Sequence, residues 1–178
     1  MTKTRLAPLA LPILLAATLS GCAKPEAAKP AVDTGKIAEA VKADAAGLVA
    51  ALNAHDAAKA VTHDAPQTVA MFHGAPNVNS AAEDEAMTKQ QIADPAFKLA
   101  VSDESVDVAK AGDMAIYRAK YAATVTDTKT KKLVTETGNW VIQYKPQPDG
   151  SWKVALSVVS DTGAAPAAAP AAAPAEKK

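Results

Sequence analysis

Ala115-Ile116-Tyr117-Arg118-Ala119-Lys120-Tyr121-Ala122-Ala123-Thr124-Val125 alternates strictly: the odd positions are alanine, tyrosine and valine, and the charges of Arg118 and Lys120 fall on the even ones. A period of two is that of a strand with one face buried and one face wet. The pattern continues on both sides. Asp127 to Lys132 is polar and suits a hairpin, and Leu133 to Lys145 then places Val134, Gly138, Trp140, Ile142 and Tyr144 on one face. Pro146-Gln147-Pro148-Asp149-Gly150 supplies turn chemistry, and Ser151 to Ser160 groups Trp152, Val154, Leu156 and Val158. Upstream, the Ala111-Gly112-Asp113 turn is preceded by Phe97, Leu99 and Val101, then Val106 and Val108. Long strands joined by short turns predict an antiparallel meander.

Before Pro95 the period is about 3.6. Ile37, Val41, Leu48 and Leu52, with Ala45 in the gap, form one stripe and predict a helix over residues 36–53. Gly47 weakens that helix, and close packing against a sheet would explain it. His55-Asp56 breaks the run, and Asp56 is a good N-cap for a short helix to about Thr62. His63-Asp64-Ala65-Pro66 reads as a turn and Thr68 to Phe72 as a short strand. Ser80 and Glu83 have the capping-box spacing, so a third helix should run to about Ala93, with Asp84 and Glu85 in its first turn and Pro95 beyond its end. Helices first and a meander afterwards is an α+β order.

The flanks have a different character. Lys3 and Arg5 precede an apolar run from Leu6 to Leu19, short of the roughly 20 residues a spanning helix needs, and Leu19-Ser20-Gly21-Cys22 closes it. Those four residues resemble the bacterial lipobox, which implies a signal peptide over residues 1–21 and diacylglyceryl transfer to Cys22, the single cysteine. Two or more acyl chains suffice for stable anchoring. Ala23 stands where an aspartate would signal inner-membrane retention, so the resemblance favours the periplasmic face of the outer membrane. Residues 22–35, rich in Ala, Lys and Pro, read as a tether, residues 36–162 as one folded domain, and residues 163–178, with Pro166, Pro170 and Pro174 four apart, as a disordered tail. The whole chain carries 19 basic and 19 acidic side chains, and cleavage before Cys22 would remove Lys3 and Arg5 and leave a formal charge of −2. Nothing in that balance steers nucleic acid, and a lone cysteine allows no internal disulfide.

Val49-Ala50-Ala51-Leu52-Asn53-Ala54-His55-Asp56, then Asp64, the Gly112-Asp113 turn and Asp149-Gly150-Ser151-Trp152-Lys153-Val154 resemble the nuclear transport factor 2-like superfamily, within it the SnoaL-like and ketosteroid isomerase-like group. The resemblance spans about Lys36 to Asp161. It implies a cone: a curved, mostly antiparallel sheet wrapped around the first helix, a pocket at the open end, and homodimers formed through the sheet. In the isomerases a carboxylate base works opposite a tyrosine and a neutral acid. Here the corresponding positions fall at Met71 in the Ala70 to Phe72 neighbourhood, at Leu48 and near Asn139, so the mechanism is not carried over and no residue is assigned as catalytic.

His55, His63 and His73 are spaced eight and ten apart, unlike the close pairs of metal sites, so no metal and no cofactor is expected. Among two Trp, three Tyr and two Phe, Tyr117, Tyr121 and Trp140 cluster on inward strand positions separated by alanines, and they are the candidate pocket together with His73. Leu156 and Val158 would make that pocket dry. The expected function is a non-catalytic envelope lipoprotein domain binding a small apolar ligand or a protein partner. The alternatives are an acid-base isomerase, cyclase or dehydratase of SnoaL-like type using His73 or Asp64, and a structural bridge through the Ala/Pro tail.

Overall fold

The computed structural model describes residues 31–162. The leader, Cys22, residues 23–30 of the tether and the Ala/Pro tail lie outside the described residues. Among the described residues no helix is long and apolar enough to cross a membrane.

The first helix, α1 (Thr34–Asn53), begins two residues before the stripe predicts, because the Asp33 carboxylate accepts from the Lys36 N–H at 3.1 Å and caps it. Val41, Ala45, Leu48, Ala51 and Leu52 are its buried face. The helix ends at His55 in the left-handed region, φ 57°, with the His55 N–H on Leu52 O and the Asp56 N–H on Ala51 O, the paired bonds of a Schellman cap. Glycine usually takes that position. His55 holds it with two side-chain contacts, Nδ1 at 2.5 Å from Ile92 O and an edge-on approach to Phe97.

Asp56 caps α2 (Ala57–Ala60), and a 3-10 turn follows over Val61–His63. Gly47 faces this turn rather than the sheet: a Cβ there would lie 2.9 Å from His63 Cε1. His63-Asp64-Ala65-Pro66 is also not a turn, because strand β1 (Asp64–Met71) already starts at Asp64. A register shift between Asp64 and Val69 places Pro66 in the irregular part, where its missing N–H removes no ladder bond. Ser80 caps α3 (Ala81–Gln91), but Glu83 returns to the Asn79 N–H at 2.8 Å, one residue upstream of the expected donor.

Strands β2 (Lys98–Val108), β3 (Ala115–Thr126), β4 (Leu133–Pro146) and β5 (Trp152–Asp161) form the meander. The sheet order is β1-β5-β4-β3-β2, with β1 parallel to β5 and every other pair antiparallel. The parity change in β2 from Leu99 and Val101 to Val106 is a bulge between Ser102 and Ser105, with Asp103 at φ 54°. On the concave face Ala115, Tyr117, Ala119, Tyr121 and Ala123 are buried with Trp140, Ile142 and Tyr144. The alanines let α1 lie close to the sheet, and the aromatic rings fill the space beside it. Asn53 fastens the two layers: its amide donates to Leu99 O at 2.8 Å and accepts from the Leu99 N–H at 2.7 Å.

Candidate functional site

The open end of the cone holds a cavity of about 380 Å³ between α1, α3 and the sheet. Leu48 and Leu52 from α1 meet Trp140 and Val154 across it. Its polar side is built from two places that sequence patterning did not single out.

The first is β5. Opposite β4, Gln143 pairs with Leu156 but Tyr144 pairs with Val154, so Ala155 is the extra residue of a bulge. One added residue exchanges the faces of everything after it. Val154 points inward, and beyond the bulge Ser157 and Val159 stand opposite Ile142 and Trp140. Ser157, Val159 and Asp161 therefore line the cavity, while Leu156 and Val158 pair with Gln143 and Val141 on the outer face. The expectation of a dry pocket is corrected by this bulge.

The second is α3. Asp84, Thr88 and Gln91 share one stripe and all line the cavity, and the Thr88 side chain sits in a residue only 5% exposed. A helix whose inward stripe is polar has no apolar periodicity to betray it. Asp84 looks from sequence like a first-turn acid serving the helix dipole, which hides its second surface.

Asp84 meets Asp64, the first residue of β1. Asp64 Oδ2 is sealed from solvent and has no donor while both carboxyls are ionised. A proton held between the two acids supplies one. Burial first, then the Asp84 carboxyl, pushes the Asp64 pKa up to about 8, and burial also raises that of Asp84. Behind the pair, His63 Nδ1 lies 2.8 Å from Asp44 Oδ1, so the histidine partners the acid on α1 and not its neighbour Asp64. Asp44 Oδ2 and the Tyr144 hydroxyl are both buried without a conventional partner, and burial followed by the nearby Asp44 raises the proton affinity of that phenol.

On the opposite wall the Tyr121 hydroxyl donates to Asp161 Oδ1 at 2.9 Å, and Trp140 Nε1 donates to Ser157 Oγ at 2.9 Å. Burial, and next the Asp161 carboxylate, raise the tyrosine proton affinity. Tyr121 has room because Gly138 is its cross-strand partner: a Cβ on Gly138 would come within 2.5 Å of Tyr121 Cε1.

Of the four candidate pocket residues, Tyr121, Trp140 and His73 line the cavity, His73 from an exposed rim. Tyr117 does not. It is fully buried, its hydroxyl donates to Glu104 Oε2 at 2.8 Å, and its ring meets Trp140 edge-on with centroids 6.4 Å apart. Leu48 lines the cavity, whereas Met71 and Asn139 are exposed and stand outside it. Among the described residues no group of three or more His, Cys, Asp or Glu could hold a metal ion.

No protein-family model and no curated protein matches the sequence. Solved structures match the fold. A proposed dehydratase of the nuclear transport factor 2-like family from Streptomyces avermitilis is 16% identical, with a TM-score of 0.63 over 75% of this chain and 100% of that one. A ketosteroid isomerase-like protein from Erwinia carotovora atroseptica is 17% identical, TM-score 0.60, over 70% and 95%. A hexachlorocyclohexane dehydrochlorinase from Novosphingobium barchaimii is 7% identical, TM-score 0.63, over 70% and 85%. The chain has the nuclear transport factor 2-like fold, an α+β cone. At such identities the likeness extends to the fold and stops there.

Proposed function

We propose that this chain is an envelope lipoprotein, anchored through Cys22, whose cone domain binds a small organic ligand. The observation that carries the binding role is the cavity of about 380 Å³, lined by apolar side chains that include Leu48 and Trp140 and by carboxyl groups on both sides. That volume suits a compact guest, with apolar walls for its body and a few fixed polar atoms for its orientation. The anchor is supported by Leu19-Ser20-Gly21-Cys22 behind a basic, apolar leader. Native mass spectrometry of the protein from its own host tests both parts. An N-terminus at a triacylated or diacylated Cys22 and a retained small molecule are expected. A chain starting at Met1 with a free thiol sinks the anchor, and an empty cavity that answers no small molecule in a Trp140 fluorescence screen sinks the binding role.

A second reading follows from the Asp64 and Asp84 pair. A carboxyl whose pKa is raised to about 8 inside a cavity is a general acid at neutral pH, the chemistry an isomerase or dehydratase needs. In this reading Asp64 delivers and recovers the proton and Asp84 holds it in between. Turnover of a hydroxy-carbonyl substrate panel by the purified protein, lost on Asp64→Asn with binding retained, would establish it. Turnover unchanged by that substitution would remove Asp64 from the reaction.

A further inference from the structure

We infer that the guest of this cavity is a small organic cation, a protonated amine seated between the Asp64 and Asp84 carboxyls with its apolar body against Trp140, Tyr121 and Phe72. The inference rests on the pocket-binding reading above and adds the chemical class of the ligand.

The sign of the charge is the first reason. Asp64, Asp84, Glu136 and Asp161 line the cavity, and among the described residues no lysine or arginine does, the single basic side chain there being His73 at the rim. Lys153, whose charge acts on Asp64, is turned to the Thr62 carbonyl and is not part of the lining. An anionic guest would face carboxylates on both sides of the cavity. A cation gains from the same field, most strongly at the buried pair where water screens it least.

The second reason is independent of charge and concerns donors. The phenol of Tyr121 is committed to Asp161 and the indole N–H of Trp140 to Ser157. Asp64 Oδ2 has no donor from any other group, and in the free protein only the proton shared with Asp84 satisfies it. The wall therefore presents more acceptor than donor capacity, and the molecule that complements it brings N–H groups. An ammonium carries three, and an aromatic wall adds attraction for a cation that a neutral guest would not feel. Tyr117, packed edge-on against Trp140, holds that indole in place.

A proton accompanies the exchange. In the free protein one proton stays on the pair at neutral pH. Of the charged groups facing Asp64, Asp84 from α3 and Asp44 from α1 favour keeping it and Lys153 from β5 opposes it, while the Tyr144 phenol from β4 is neutral. When an ammonium enters, its own N–H groups replace that proton, which leaves for solvent. Binding should strengthen from about pH 6 to pH 8 as the proton to be displaced is held less.

Isothermal titration calorimetry of the full chain with 2-phenylethylamine, 2-phenylethanol and phenylacetate separates the possibilities. The amine is expected to bind at least tenfold more tightly than the alcohol, phenylacetate more weakly than either, and buffers of different ionisation heat should reveal proton release on amine binding at pH 7. Asp64→Asn should lower amine affinity at least tenfold and leave the alcohol unchanged, which also shows the variant is folded. Glu136→Gln, at an exposed position, should lower amine affinity only two- to threefold. If the alcohol or the carboxylate binds as well as the amine, the cation assignment is overturned while the pocket stands. If none of the three binds, the pocket reading falls with it.

Discussion

Asn53 shows how much one side chain can hold. Strand β2 is an edge of the sheet, and the Asn53 amide closes both the N–H and the C=O of Leu99 as a neighbouring strand would. Removing it leaves two partly buried backbone groups without partners, at a cost of about 2 kcal/mol. Asn53→Ala should therefore lower the melting temperature by several degrees, and an unchanged melting curve would show that water replaces the amide at no cost. Asp64 behaves differently. Its chemistry was visible in sequence as one of two candidate acid-base residues, but its partner was not, because Asp84 lies 20 positions along the chain on a helix face without apolar pattern. His63 was visible as a titratable neighbour of Asp64, yet its partner is Asp44, brought up by α1.

At the level of elements, the bulge at Ala155 and the glycine at position 138 make the cavity what it is. Gly138 leaves the space that the Tyr121 ring occupies, and any Cβ there would also lie 2.2 Å from the Ser160 carbonyl oxygen. Backbone on one side and a ring on the other leave little room to yield. Gly138→Ala should destabilise the domain by about 1–3 kcal/mol and shift Tyr121 off Asp161. The measurable consequence is a lower denaturation midpoint together with weakened ligand binding. A variant as stable as the parent would mean that β4 and β5 can part without loss. The alternation along β5 was legible, but alternation only says that neighbours point to opposite faces. Which face each occupies was decided by one surplus residue, and nothing in Val154-Ala155-Leu156-Ser157 marks where the surplus falls.

Across the whole molecule the titrating acids pull stability in opposite directions. Asp94 accepts from the Ala96 and Thr126 N–H groups, which hold its carboxyl below the ordinary range, Asp127 is lowered in the same way first by the Thr130 amide, and Asp149 is lowered by the Ser151 hydroxyl and then the Ser151 N–H. Such groups stabilise the fold above their unfolded pKa, and that contribution is lost as pH falls through their folded values. Asp64 is raised from 3.8 to about 8, so between those values the folded chain binds more protons than the unfolded one. Stability contributed by the protonated pair is complete below the unfolded pKa and is lost as pH rises toward 8. The melting temperature should therefore fall from about pH 5 to pH 8, and Asp64→Asn should flatten that slope. A parent curve that rises over this interval, or a variant with the parent's slope, would contradict a proton shared in the cavity. The sequence by itself determined the order of helices and strands, the inward tyrosines and tryptophan and the α+β class, because periods of 3.6 and 2 report directly on which residues seek burial, and the cone was what the family resemblance implied. Only the tertiary structure decided the chemistry of the cavity. Asp44, Asp64, Asp84 and Asp161 come from α1, β1, α3 and β5, and their proximity depends on helix placement and on a one-residue bulge, neither of which leaves a periodic trace in the chain.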